Sequence, residues 1–379
     1  MKPELLTLSC PSRRCFLSQL GLGTITACIG HDARADHPPP FTQVPAEFSR
    51  LQPDLRSTLV FNDGSTVKSA DDWNKRRTEI LSDWHRIMGE WPPMVDHPSI
   101  EINETTMRGN VKQQRVRVQI APDQTSDGYI LIPPGDGPFP AVFVPFYDPE
   151  TSIGLSDKPF RDFAWQLSQR GFVSFSIGSP GGDARKPVLS EQAHCQPLSY
   201  LGYIAANAWN ALASMDIVDA TRVGIVGHSY GGKWAMFGSC LYDKYACAVW
   251  SDPGIVFDET RPSINYQEPW YLGLDSTVTR KPGLVRDESP QTGAYKTLVD
   301  LKHNLHELQA LMAPRPFLVS GGQEDPPKRW EALNHTIAVN RILGFEGRVA
   351  MTNRATHSPT EESNEQIYQY LEYWLKKEK

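Results

Sequence analysis

The spacing of hydrophobic positions changes along the chain, and each change predicts a different kind of element. From Ser69 to Gly89, Trp73, Ile80, Leu81, Trp84 and Ile87 recur at helical spacing, and Glu90-Trp91-Pro92-Pro93 ends the pattern, so one helix is predicted there. The period then shortens. Val116 to Ile120 alternates, Tyr129 to Ile132 is a short apolar run, and Pro140 to Val144 reads as a buried strand. From there helices and strands take turns: a helix over 160–170, a strand over 172–177, a long apolar-faced helix over 200–217 and a strand over 223–226. Helix-competent sequence resumes at Trp234, then come a strand at 246–250, a helix at 305–312, a strand at 317–320, a helix at 330–343, a strand at 348–352 and a final helix at 365–377. Hairpin-like strands first and β-α alternation afterwards predict an α/β fold with a mostly parallel sheet covered by helices on both faces. In such a sheet the site lies beyond the carboxyl ends of the strands.

One strand end carries an obvious candidate. Between the strand at 223–226 and the helix that follows lies Gly227-His228-Ser229-Tyr230-Gly231, a G-x-S-x-G elbow on a tight strand-to-helix turn. Such a turn pushes the Ser229 hydroxyl out and aims the Tyr230 N–H and the positive end of the helix at any oxyanion formed beside it. A serine hydroxyl is a poor nucleophile at neutral pH and needs a histidine base, whose tautomer an acid must fix. In this architecture the chain order is serine, acid, histidine. Only His335 and His357 follow the strand at 317–320. His335 falls inside a helical pattern, whereas His357 sits in the polar loop Arg354-Ala355-Thr356-His357-Ser358-Pro359, so His357 is the expected base. For the acid, Gly322-Gln323-Glu324-Asp325 follows one strand in G-x-x-D spacing and points to Asp325, with Glu324 one register away. Asp252, in Ser251-Asp252-Pro253-Gly254 after the preceding strand, is the other candidate. The second oxyanion donor is expected from the loop after 140–144, as the backbone N–H of Phe146 or Tyr147.

Composition narrows the partners. The chain has 379 residues, 40% of them hydrophobic, and a formal net charge of −6 with no basic stripe, which suits a soluble substrate and disfavours nucleic acid. Residues 1–35 read as an export address: Ser12-Arg13-Arg14-Cys15-Phe16-Leu17 is a twin-arginine pattern, and the apolar run after it is too short for a membrane span. Cleavage after Ala35 is expected, with a lipid-carrying Cys28 as the alternative, and either makes the protein exported, periplasmic or secreted. Residues 36–105 are expected to form a linker and a helical extension, and residues 106–379 the catalytic domain, with an insertion at about 254–302. Of six cysteines, Cys195, Cys240 and Cys247 remain in the mature chain, and no metal-ligand spacing or cofactor loop is found.

From about Val116 onward the chain resembles the α/β-hydrolase superfamily. Within it, Gly227 to Lys233 (GHSYGGK) and His306 to Pro316 (HELQALMAPRP) look like segments of the glucuronoyl esterases, and acetyl xylan esterases and dienelactone hydrolases are similar. The resemblance implies a serine carbohydrate esterase acting on a small-molecule or polysaccharide ester, without a cofactor. Glucuronoyl esterases carry arginine directly after the nucleophile, where this chain carries Tyr230, so a carboxylic ester hydrolase in the broad sense is implied. That family commonly places its acid at the strand end matched here by Asp252.

The insertion at 254–302 is too long for an ordinary loop and holds Tyr266, Trp270 and Tyr271. It is expected to wall the site, its aromatics stacking on sugar rings or packing the insertion down, with Arg261 or Arg280 free to meet a carboxylate. Two alternatives remain from sequence. One is a serine peptidase like the prolyl oligopeptidase catalytic domain, although residues 36–105 are far too few for its propeller. The other is an inactive hydrolase scaffold used for binding, against which a complete serine, acid and histidine order argues.

Overall fold

The computed structural model describes residues 40–376, so the expected leader, with Ala35 and Cys28, lies outside the described residues. Helix α1 (Ala70–Met88) starts where Ser69 accepts a hydrogen bond from the Asp72 N–H and buries Trp73, Ile80, Trp84 and Met88 along one stripe. It ends at Gly89 (φ 90°), which opens the two-residue strand β1 (Gly89–Glu90). Strands β2 (Ile100–Arg108), β3 (Val111–Ala121) and β4 (Gln124–Ile132) form an antiparallel meander. Strand β2 had no counterpart in the hydrophobic pattern for a physical reason. It is the sheet's edge and exposed along nearly its whole length, so neither face demands apolar residues.

The parallel part then builds up through β5 (Phe139–Phe143), α2 (Pro149–Ser152), α3 (Phe163–Gln169) and β6 (Val173–Ile177). The short β7 (His194–Cys195) returns to pair with β1, and α4 (Pro197–Ala213) leads to β8 (Val218–His228), α5 (Tyr230–Leu241) and β9 (Cys247–Ser251). The insertion follows, closing with α6 (Gly293–Asp300), and the chain completes α7 (Leu305–Ala310), β10 (Phe317–Gly321), α8 (Trp330–Ile342), β11 (Val349–Asn353) and α9 (Glu361–Leu375). The nine-stranded sheet runs β11-β10-β9-β8-β5-β6-β4-β3-β2, parallel from β11 through β6.

Alternation along the central strands splits the core in two. Ala141, Phe143 and Ile225 face a layer with α1, α4, α5 and α7, while Val142, Val144 and Val226 face α3 and α9. Strands buried on both faces read as continuous apolar runs, which is why β5, β6 and β9 stood out in the sequence. Each fully buried Leu, Ile, Val or Phe contributes about 1.5–3 kcal/mol. The N-terminal extension is fastened to this body by buried polar groups as well. Glu307 of α7 meets His303 at 2.6 Å and both Arg56 and Arg76 at 3.8 Å, and His306 Nε2 donates to the Arg56 carbonyl at 2.7 Å.

Candidate active site

Strand register decides which residues meet. His228 is level with Ser251, Ser251 with Ser320, and Ser320 with Thr352, so the carboxyl ends of β8, β9, β10 and β11 lie in one row. Each strand therefore delivers its next residues to the same ledge.

Ser229 turns the corner from β8 into α5 at φ 56°, ψ −113°, a conformation costly for a residue with a side chain and kept because its surroundings impose it. Its N–H donates to the Ser251 carbonyl at 2.8 Å. The two elbow glycines are sterically required. A Cβ on Gly227 would lie 2.1 Å from the Gly231 carbonyl oxygen, and one on Gly231 would lie 2.2 Å from that of Pro145.

The His357 ring bridges nucleophile and acid, with Nε2 2.9 Å from Ser229 Oγ and Nδ1 2.7 Å from Asp252 Oδ2. A carboxylate only accepts, so Nδ1 carries the proton and Nε2 is left to accept from the serine hydroxyl. His357 keeps 32% of its side chain exposed, whereas Asp252 is sealed. Beneath lies His228, buried, its ring 4.8 Å from that of His357 and its Nδ1–H directed at the Ser251 carbonyl at 3.2 Å. Burial, and then the neighbouring His357, push the His228 imidazole well below its ordinary value, so it stays neutral under the site.

The carboxylate that meets His357 is that of Asp252, and Asp325, the expected acid, makes no contact with the ring. The G-x-x-D turn after β10 does converge on the site, but with its backbone. Asp252 Oδ1 accepts from the N–H groups of Gly322 (2.7 Å), Glu324 (3.1 Å) and Asp325 (2.8 Å). The Asp325 carboxylate turns the other way and accepts from Gly254 N–H at 2.8 Å and Ile255 N–H at 2.6 Å, bracing the base of the insertion. Burial, then the Asp252 charge, push Asp325 up to about 6. Glu324 is buried with its nearest cation, Arg261, at 4.0 Å, and makes no contact with His357. His335 is buried in α8 with its ring 4.6 Å from that of His306 and has no part in the ledge.

On the oxyanion side, Tyr230 opens the first turn of α5, whose N–H groups lack intrahelical partners. The Phe146 N–H is engaged by the Ile177 carbonyl at 3.3 Å, extending the pairing with β6, so it leaves the list of donors. Tyr147 stacks its ring on that of Tyr230 at 4.7 Å and brings its phenol near the Ser229 hydroxyl. Desolvation raises the Tyr147 phenol above its ordinary value, so it keeps its proton and can donate.

The expected sugar-binding aromatics are mostly core. Tyr266 is fully buried against Phe237 and Phe257 and donates to the Gly254 carbonyl at 2.9 Å; Tyr271 is buried against Tyr230. Only Trp270 is half-exposed. Neither arginine of the insertion is free. Arg280 is sealed in an ion pair with Glu268 at 3.0 Å, and Arg261 donates to the Gln323 carbonyl at 2.5 Å and faces Asp258 at 3.6 Å.

Two residues that tie the surrounding loops together escaped the sequence reading because their partners are main-chain carbonyls, which leave no residue pattern. Arg354 donates to the carbonyls of Ser320 (2.8 Å), His357 (2.7 Å) and Ser358 (2.9 Å), tying the histidine loop to the end of β10. Lys233 is buried under the rings of Tyr266 and Tyr271 and donates to the Pro253 carbonyl at 2.5 Å, and burial lowers its ammonium to about 8. Among the described residues there is no group of histidine, cysteine or acidic side chains able to hold a metal, and Cys195, Cys240 and Cys247 are buried free thiols. Among the same residues no helix is long and apolar enough to cross a membrane.

Solved structures share this architecture. A glucuronoyl esterase from Solibacter usitatus superposes with a TM-score of 0.63 at 18% identity, covering 84% of this chain and 97% of that one. A promiscuous family 15 carbohydrate esterase from a marine bacterial metagenome gives 0.63 at 17% identity, covering 88% and 98%. The glucuronoyl esterase catalytic domain from Hypocrea jecorina gives 0.56 at 14% identity, covering 87% and 91%. At such identities the likeness is one of fold, the α/β-hydrolase fold. No curated protein matches the sequence. Residues 166–378, more than half the chain and the part that carries Ser229, Asp252 and His357, match the Prolyl oligopeptidase family, and the chain belongs to that family.

Proposed function

We propose that this protein is an exported serine hydrolase that cleaves a carboxylic ester, on a carbohydrate, by acyl transfer through Ser229, His357 and Asp252. The observation that carries the reading is the relay of two short contacts, Ser229 Oγ to His357 Nε2 at 2.9 Å and His357 Nδ1 to Asp252 Oδ2 at 2.7 Å. His357 takes the serine proton as Oγ attacks the ester carbonyl, and the oxyanion forms against the Tyr230 N–H and the Tyr147 hydroxyl. The imidazolium, held by Asp252, returns the proton to the departing alcohol. Water, deprotonated by the same imidazole, then releases the acid and regenerates Ser229.

The carbohydrate ester is supported by the esterases among the neighbours, which cover most of this chain. Export rests on the leader sequence alone. A second reading, cleavage of a peptide bond, is favoured by the family match over 166–378. A fluorophosphonate probe should label Ser229 and leave Ser229→Ala unlabelled. A panel of acetylated xylo-oligosaccharide, methyl glucuronate, short 4-nitrophenyl esters and proline-containing peptide amides should show turnover of esters, lost by a factor on the order of 10⁴ or more in Ser229→Ala. Turnover of the peptide amides alone would replace the ester reading with the peptidase one. Unlabelled wild type with no turnover would leave a binding scaffold.

A further inference from the structure

Two guanidinium groups without acidic partners lie in the neighbourhood of Ser229, one at a pocket and one on the loop after β6. A pocket of about 470 Å³ beside the nucleophile is lined by Phe146, Tyr147, Asp157, Lys158, Pro159 and Arg161. Tyr147 lines this pocket and stacks on Tyr230, the residue after Ser229, so whatever fills the pocket lies close to the nucleophile's turn. Lys158 already faces Asp148 at 3.4 Å. Arg161 is different. Its hydrogen bonds go to neutral oxygens, the Pro159 carbonyl at 3.1 Å and the hydroxyl of Ser358, the residue after His357, at 3.2 Å. On the loop after β6, Arg185 is exposed, its guanidinium lies over the half-exposed Trp270 ring at 5.8 Å, and its charge acts on Tyr147. Neither arginine forms an ion pair with an acid among the described residues.

This arrangement contrasts with the arginines of the insertion. Arg280 and Arg261 are committed to Glu268, Asp258 and the Gln323 carbonyl, so their charge is neutralised or their donors are used within the fold. A chain with a net charge of −6 has acids to spare, yet it leaves these two cations without an acidic partner. Guanidinium forks of this kind bind a planar carboxylate through paired hydrogen bonds. The loop that carries Arg161 also holds Phe160 at φ 61°, the backbone strain expected where a loop is fixed for a purpose.

We propose that Arg161 and Arg185 form a carboxylate-recognition site in the neighbourhood of Ser229, so that the favoured substrate is an ester bearing a second, ionised carboxyl group. This rests on the ester reading above and narrows it to acidic esters. Both residues bind rather than react: the carboxylate docks, the ester carbonyl is drawn to Ser229, and the acyl transfer proceeds unchanged.

Two pairs of probes test this, each differing only in one charge. Mono-4-nitrophenyl glutarate against its methyl ester puts the carboxylate in the acyl half, and 4-acetoxybenzoate against methyl 4-acetoxybenzoate puts it in the alcohol half. In at least one pair the acid should be cleaved with kcat/KM about tenfold or more above its methyl ester, as a charge-assisted hydrogen bond supplies. Arg161→Gln and Arg185→Gln should each lower that ratio severalfold, mainly through KM, with Arg161→Lys retaining part of it. Melting curves verify that the variants fold. Wild type that cleaves both members of each pair equally, or prefers the methyl esters, overturns the proposal and leaves the ester reading intact. An unchanged ratio in both Gln variants also overturns it. Failure to cleave any of the four esters removes both readings together.

Discussion

Asp252 and Asp325 are the same residue type, buried to the same degree, at the ends of adjacent parallel strands, and they do opposite things. Asp252 is cradled by three N–H groups and still presents an oxygen to His357. Asp325 spends both oxygens on the backbone of Gly254 and Ile255, and burial beside a fixed negative charge pushes its carboxyl up. Which turn offers its amides and which its carboxylate separates the acid that meets the histidine from the acid that braces the insertion. The two turns interlock, each acid holding the other's backbone.

The largest effect should come from breaking that asymmetry at Asp252. Asp252→Asn leaves the amide cradle one acceptor but deprives His357 of the carboxylate that fixes its tautomer and balances the imidazolium, so kcat should fall by on the order of 10³ to 10⁴. Asp325→Asn should keep kcat within about tenfold while lowering the melting temperature, because an amide NH₂ would face one of the two N–H groups and leave it unpaired, at about 1–3 kcal/mol. Steady-state kinetics and thermal melts on both variants decide the matter. Collapse of kcat in Asp325→Asn with near-normal turnover in Asp252→Asn would reverse the roles assigned here.

A middle-sized effect is expected from Arg354, which joins the histidine loop to the strand that carries the bracing turn. Arg354→Ala removes donors to the carbonyls of Ser320, His357 and Ser358 without touching the acid or the serine. His357 should then lose its fixed approach to Ser229, and kcat should drop by about 10- to 100-fold with little change in KM. Arg354→Lys should restore little of it, since one ammonium cannot serve three carbonyls from a fixed fork. Wild-type turnover in Arg354→Ala would mean that the loop is held by its own turn.

These contrasts also mark what the chain reveals in one dimension. Ser229 was legible as the candidate nucleophile because an elbow needs glycine on both sides, and His357 as its candidate base because it follows the last strand in a polar loop. The interior strands were legible because burial on both faces demands continuous apolar residues. Strand β2, exposed at the edge, carried no such demand. The choice between Asp252 and Asp325 depends on where two turns point their carboxylates, and both sequences, DPG and QEDP, are compatible with either role. Spacing alone favoured Asp325, whereas the carboxylate in contact with His357 is that of Asp252. The aromatics of the insertion misled for a related cause: Tyr266 and Tyr271 are large and amphipathic whether they face a sugar or the core, and only the fold shows them buried. Arg354 and Lys233 act on carbonyls, which every residue has.

The smallest effect is the most specific to the comparison, because it reads the protonation of Asp325 directly. Its carboxyl is pushed from an ordinary 3.8 up to about 6, first by burial and then by the Asp252 charge. Between those values the folded protein holds a proton that the unfolded chain has released. The slope of stability with pH follows the difference in bound protons between unfolded and folded states, here negative. This group's contribution is therefore fully present below about pH 4 and is lost as pH rises through about 6. Removing the carboxyl removes the dependence, so the unfolding free energy of wild type minus that of Asp325→Asn should decline from pH 4 to 6 and level off above. In Asp252→Asn the second cause is gone, and the decline should end at a lower pH. Urea unfolding of the three proteins at half-unit steps measures it. A difference that instead rises with pH across this window would mean that Asp325 is an ordinary stabilised carboxylate, and the two acids would then not be divided as their hydrogen bonds divide them.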